Sequence, residues 1–229
     1  MLPGGTPPDR LYGRQRGHRL RPRQQTLLDI TLPRLRLTGP PPTDLPIWLE
    51  VGFGGGEHCL AQIAAHPRIR LIACEVFANG ICSLLSRLVA EGEEATGVLP
   101  PHLHIWDDDA RRLLRLLPEA SLDRLFLLFP DPWPKSRHAK RRFVHPANLP
   151  MVARVLKPGA EWRIASDDPT YQHWVQEVMQ EQDFFAPAQS VVDRPAGWPP
   201  TRYEAKAITA GRQPRYWTFV RGQQVSLPK

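Results

Sequence analysis

The 229-residue sequence predicts an α/β fold, a mostly parallel, doubly wound sheet with a C-terminal antiparallel hairpin strand. Three observations predict it. Short apolar runs alternate with segments of helical period from about residue 47 to residue 182. A glycine loop, Gly52 to Gly56, joins the first of these runs to the first such helix. After Pro187 the alternation stops, and two runs flank a turn at 211–214. The length and a hydrophobic content of 41% suffice for one domain with a sizeable core.

Residues 1–26, rich in Arg, Pro and Gly, read as a flexible arm, and 27–37 carry a short helical pattern ending near Gly39. Pro40-Pro41-Pro42 is a stiff spacer. Ile47 to Val51 reads as a buried strand and 57–65 as a helix. A second strand spans 69–73 and ends in Glu75, with a helix at 79–90. A third strand spans 103–106, followed by Asp107-Asp108-Asp109 and a helix over 110–117. The fourth strand is 122–129, its helix 147–156, and Lys157-Pro158-Gly159 closes that helix. A fifth strand at 162–165 leads to a helix at 171–182. Runs 203–209 and 216–220 read as the antiparallel hairpin. The domain boundary is placed between 1–46, a basic arm with a short helix, and 47–229.

Net charge is +7, and it is localised. Residues 1–36 hold eight Arg against Asp9 and Asp29; residues 135–142 hold five cations and no acid. The remainder is mildly acidic, so two focused basic stretches favour a polyanion partner. A solvated face in an Arg-rich chain, with 25 Arg against 5 Lys, is the plainer reading. Cys59, Cys74 and Cys82 form no C-x-x-C pair and fall in apolar patterns, which points to buried thiols in a reducing compartment. No apolar stretch reaches the ~18 residues of a membrane span, and the N-terminus lacks a signal-peptide core. A cytoplasmic protein without a membrane partner is expected. His102-x-His104 has no companion ligands, so no metal is expected.

The strand ends carry the chemistry. Glu50-Val51-Gly52-Phe53-Gly54-Gly55-Gly56 lets the backbone turn sharply and approach a ligand. Glu75 ends the second strand 23 residues after Gly52, where doubly wound sheets place a ribose-binding acid. A nicotinamide fingerprint needs glycine at 57, which is Glu57. Glu50 would repel a pyrophosphate but not the sulfonium and ammonium of S-adenosylmethionine. Asp109 could serve the adenine end, or simply cap the following helix. Farther on, Asp131 sits between two prolines, followed by Trp133 and then Lys135, Arg137, Lys140, Arg141 and Arg142. A stiffly held acid and a flat aromatic beside cations suggest chemistry on a nucleic-acid base. Trp133 could stack on that base or pack beneath the loop.

Five motifs carry a resemblance: Glu50-x-Gly52-x-Gly54-x-Gly56, Phe129-Pro-Asp-Pro-Trp133-x-Lys135, Arg137-His-x-Lys-Arg-Arg142, Ser166-Asp167 and Thr201-Arg-Tyr-Glu204. Together they resemble the bacterial tRNA (guanine-N7)-methyltransferase family, from about Gly13 to about Val220. The resemblance implies a Rossmann-like class I methyltransferase fold over 47–229. It implies S-adenosylmethionine as donor, S-adenosylhomocysteine as product, and a tRNA variable-loop guanosine as target, with no obligate protein partner. Carried over by motif, Glu50, Gly52, Gly54, Gly56, Glu75, Asp109 and Asp131 would fall at the cofactor, with Asp131 also the catalytic acid. Lys135, Asp167, Thr201, Arg202, Tyr203 and Glu204 would contact substrate. Arg137, His138, Lys140, Arg141 and Arg142 would contact RNA. The chain departs from the pattern at Asp168-Pro169-Thr170, where Trp-Glu-Pro is expected. Two rivals stay open: methylation of an exocyclic base amine, and a non-catalytic RNA-binding protein on the same scaffold.

Overall fold

The structure, a computed structural model, describes residues 17–223. The first sixteen residues of the expected arm lie outside it. The described residues form two compact units, 17–116 and 117–223.

In the first unit, β1 (Ile47–Val51), β2 (Arg70–Cys74) and β3 (Leu103–Trp106) run parallel in the order β3-β2-β1. Ile47 lies opposite Arg70, and Leu71 opposite Leu103. All five β2 residues are buried, which is why this run shows no alternation. The intervening helices are α2 (Glu57–Ala65), α3 (Ala78–Leu88) and α4 (Ala110–Leu116). Helix α3 buries Ile81, Cys82, Leu84 and Leu85, the spacing of one helical face.

Residues 17–26 correct the expectation of a flexible arm. A helix, which we number α1 as first in the chain, covers Pro22–Thr26 and continues as wider and then tighter turns through Arg34. Its anchors are specific. Leu27 is fully buried, Arg23 binds Glu94 at 2.9 Å and the Val89 carbonyl at 2.8 Å, and the Thr31 hydroxyl donates to the Glu94 carbonyl. Proline in the first helical turn costs no hydrogen bond, and Pro22 starts this helix.

In the second unit, β4 (Leu122–Leu128) pairs parallel with β5 (Leu156–Ser166) through the crossing helix α5 (Leu149–Val155). Helix α6 (Pro169–Gln180) follows β5. The departure at Asp168-Pro169 is a helix start: the Asp168 carboxylate accepts the Tyr171 N–H at 3.0 Å, with proline at the first helical position.

The C-terminal hairpin needs correction. Residues 203–209 are helical, within α7 (Arg202–Thr209). The Thr201 hydroxyl accepts the Glu204 N–H at 3.1 Å and the Glu204 carboxylate accepts the Thr201 N–H at 3.4 Å, a reciprocal capping box. Only Glu204 and Ala207 turn inward, three residues apart, as a helix requires. Strand β7 (Arg215–Arg221) instead pairs antiparallel with β5 on one side and with β6 (Phe185–Val191) on the other, giving the order β4-β5-β7-β6. Strand β6 is an outer strand with Pro187 at a register shift and mostly exposed side chains, so its sequence carries little strand signal. No helix among the described residues is long and apolar enough to cross a membrane.

Candidate active site

The loop after β1 is built by positive backbone angles at Gly52, Gly54 and Gly56. The Gly52 N–H donates to the Cys74 carbonyl at 2.8 Å, tying the loop to the end of β2. Glu75 completes the brace. One of its oxygens accepts the Gly54 N–H at 2.8 Å, and the other accepts the N–H groups of Val76 and Phe77. From the other side α3 comes in at Gly80, a residue the sequence motifs did not single out. A Cβ there would lie 2.4 Å from the Gly54 carbonyl oxygen. Gly80→Ala is therefore expected to displace the loop, costing about 1–3 kcal/mol of stability and weakening methyl-donor binding. Thermal unfolding and calorimetry with S-adenosylmethionine check this; wild-type values in both would refute it.

Glu50 ends β1 with a relative exposure of only 2%. Its Oε2 takes a 2.7 Å hydrogen bond with His58 Nδ1 and a 2.9 Å bond from the Cys59 thiol, both from the first turn of α2. Burial, followed by the Glu50 charge, pushes the Cys59 thiol well above its usual range, so the sulfur keeps its proton and donates. Burial also raises the Cys74 thiol, and pushes Cys82 up to about 11. The three cysteines are buried free thiols.

The three aspartates after β3 are each paired. Asp107 holds Arg36 at 2.7 Å, Asp108 holds Arg112 at 2.8 Å, and the buried Asp109 receives the backbone N–H and guanidinium of Arg111. The capping role weighed for Asp109 is thus present, and its charge is neutralised by Arg111. A cleft of about 630 Å³ between α1 and α3 is lined by Arg21, Gln24, Asn79, Cys82 and Ser83 among others and by no predicted site residue. Among the described residues no cluster of His, Cys, Asp or Glu could hold a metal ion.

In the second unit, the segment after β4 leaves the sheet where the Phe129 N–H donates to the Ala165 carbonyl at 2.8 Å. Phe129 and Trp133 both take positive φ, +51° and +45°, and between them Asp131 is exposed. Backbone strain in bulky residues on either side of one carboxylate is the kind stored at functional sites. What holds it is Arg142. This guanidinium, 5% exposed, donates to the Pro132 carbonyl at 3.0 Å and the Trp133 carbonyl at 2.9 Å, and lies 4.8 Å over the Trp174 ring. Burial lowers its pKa from the guanidinium value, while Tyr171, Asp168 and Glu177 oppose the drop. Arg142 is therefore corrected from an RNA contact to an internal clamp, because the side chain is buried and two of its N–H groups bind the loop's own carbonyls.

The rest of the basic run divides by location. Lys135, Arg137 and Lys140 are exposed on or beside a tight helical turn, Ser136–Arg141. Arg141 lies 4.7 Å over the Trp133 ring, and His138 meets that ring edge-on at 5.9 Å. Trp133 thus packs against the basic turn. Partial desolvation and then the cations Arg141, Arg137, Lys135 and Lys140 hold the His138 ring below its ordinary value, so it adds no charge at neutral pH.

The predicted substrate residues are mostly engaged with one another's surroundings. Asp167 binds Arg212 at 2.6 Å. Thr201 caps α7, and the Glu204 carboxylate also accepts from Arg194 at 3.0 Å and from the Tyr216 hydroxyl at 2.8 Å. Burial, reinforced by Glu204, raises the Tyr216 phenol and keeps it a donor. Tyr203 is exposed, with the Arg202 guanidinium 5.0 Å over its ring.

Solved structures carry this fold. One 16S rRNA methyltransferase, KamB, superposes with a TM-score of 0.58 at 19% identity, over 79% of this chain and 89% of that one. An rRNA methylase from Streptococcus thermophilus gives 0.51 at 14% identity, over 88% and 95%. A family model described as "Putative methyltransferase" matches residues 44–215. The fold is the Rossmann-like one of class I methyltransferases, mostly parallel with antiparallel C-terminal strands, and by class the protein is a methyltransferase. Its relatives narrow this further. It is 69% identical to a tRNA (guanine-N(7)-)-methyltransferase of Granulibacter bethesdensis, over 93% of this chain and 96% of that one, and 45% identical to one of Rhodospirillum rubrum, over 96% and 90%. The chain belongs to the tRNA (guanine-N(7)-)-methyltransferase family.

Proposed function

We propose that the protein transfers a methyl group from S-adenosylmethionine to N7 of a variable-loop guanosine in tRNA, in the cytoplasm and without an obligate protein partner. The observation that carries this reading is 69% identity to a tRNA (guanine-N(7)-)-methyltransferase along 93% of the chain. The donor fits the residues present. The hydrogen bonds to Glu50 converge on Oε2, and none from the described residues falls on Oε1, so a buried carboxylate oxygen remains for a cation. Gly52, Gly54 and Gly56 let the backbone approach the donor, and the Glu75 carboxylate, held at the end of β2 by its backbone bonds, would accept from ribose hydroxyls. Asp109, paired with Arg111, would border the adenine end.

The donor supplies an electrophilic methyl carbon on a sulfonium. Guanine N7 presents an unprotonated lone pair at the major-groove edge. No proton has to be removed before attack, so alignment is the main requirement of the protein. Positive charge moves into the purine as the bond forms. A fixed carboxylate beside the ring gains attraction as that happens, and so favours the transition state over the ground state. Asp131 takes that role, with Lys135, Asp167 and the segment 201–204 positioning the nucleotide. Lys135, Arg137, Lys140 and Arg141 would meet phosphates, which fix register without reading sequence.

The test is methylation in vitro of bulk tRNA lacking the modification, followed by nucleoside mapping. N7-methylguanosine in the variable loop is expected. A methylated exocyclic amine would overturn the assignment in favour of that rival chemistry, and no methylation would favour a non-catalytic RNA-binding protein.

A further inference from the structure

We infer that His58, held in one tautomer by Gln62, is a positioning residue that aims the Glu50 carboxylate at the cationic amino-acid end of the methyl donor. The inference rests on the donor reading above and adds a residue to it.

Three buried side chains meet on α2. His58, Cys59 and Gln62 are all below 4% exposure, and His58 and Gln62 are one helical turn apart on the same face. The Gln62 amide nitrogen lies 3.0 Å from His58 Nε2. An amide nitrogen only donates, so Nε2 must accept, and the single proton of the neutral ring sits on Nδ1. That proton is directed at Glu50 Oε2, 2.7 Å away. The Cys59 thiol donates to the same oxygen. Two donors on one oxygen, with none from the described residues on the other, fix both the rotation of the carboxylate and the oxygen it presents.

The chemistry of the donors matters as much as their geometry. A lysine or arginine in place of His58 would stabilise the carboxylate better, but would cancel the charge needed for an ammonium or sulfonium. A neutral imidazole and a neutral thiol satisfy the buried carboxylate while leaving its full negative charge for the ligand. Gln62 then matters because the other tautomer would turn a lone pair toward Glu50.

The experiment measures binding of three ligands by calorimetry: S-adenosylmethionine, S-adenosylhomocysteine, and methylthioadenosine, which lacks the amino-acid end. His58→Phe is expected to weaken the first two by about 10- to 100-fold, the range of one hydrogen bond to a charged group, and to leave methylthioadenosine unchanged. His58→Asn restores a donor at the place of Nδ1 and should recover most of the loss. In steady state, KM for the donor rises in His58→Phe while kcat at saturation stays near wild type. If His58→Phe does not fold, Gln62→Leu carries the same test, with a smaller loss and the same selectivity among ligands. Equal weakening of all three ligands, or wild-type affinity in the variants, overturns the role of His58. Failure of the wild-type protein to bind S-adenosylmethionine overturns the donor reading itself, and the inference with it.

Discussion

Asp131→Asn is expected to lower single-turnover methylation by about 10²–10³-fold, the scale of removing one preorganised electrostatic partner of a transition state. S-adenosylmethionine affinity should change only modestly. The substitution keeps the shape of the side chain and removes its charge. It therefore separates charge stabilisation from simple occupancy of the space. The setting supports a fixed charge: strained Phe129 and Trp133 lie on either side, with Pro130 and Pro132 adjacent. A carboxylate already in place pays no reorganisation when charge develops on the purine. Rapid-quench measurement with saturating tRNA and donor checks the prediction. Full single-turnover activity in the variant would remove Asp131 from the chemistry and leave positioning by the other site residues as the whole of catalysis.

The strands most legible in the sequence are those buried on both faces. Strands β1, β2 and β4 stand out by the short apolar runs 47–49, 71–74 and 125–128, in which successive residues on both faces are buried. Strand β6 was missed because it is an outer strand with exposed polar positions and a proline, where burial imposes little pattern. Helix α7 was misread as a strand although its signal was present in the sequence. Thr201-x-x-Glu204 is a capping-box spacing, and the pair is joined in that way here. Motifs likewise placed the acids but not their partners. Glu50 stands out by its position before the glycines, whereas the dependence of its orientation on His58 and Cys59 exists only once α2 folds back over β1. Gly80 is legible only in three dimensions, because its constraint is the Gly54 carbonyl 26 residues earlier in the chain. The run of five cations looked uniform as a sequence. In the structure it separates into three exposed charges, one guanidinium over an indole, and one internal clamp.

That separation sets the last prediction. Arg142→Met is expected to destabilise the protein by about 3 kcal/mol, since two carbonyls lose a charged donor in a buried setting. It should also lower turnover by about 100-fold, the cost of roughly 1 Å of misplacement at a reacting centre, because the carbonyls it holds belong to the two residues after Asp131. Arg142→Lys is not a rescue: a single ammonium does not reproduce the planar fork that reaches both carbonyls and lies flat on Trp174. A residue neutralising phosphates behaves differently. Arg137→Ala should weaken tRNA binding and reduce the slope of log affinity against log salt by about 0.7–0.9 per lost contact. Arg142→Lys should leave that slope unchanged while turnover falls. If the slope falls in Arg142→Lys as it does in Arg137→Ala, then Arg142 leaves the loop to meet RNA, and the clamp is not what holds Asp131 in place.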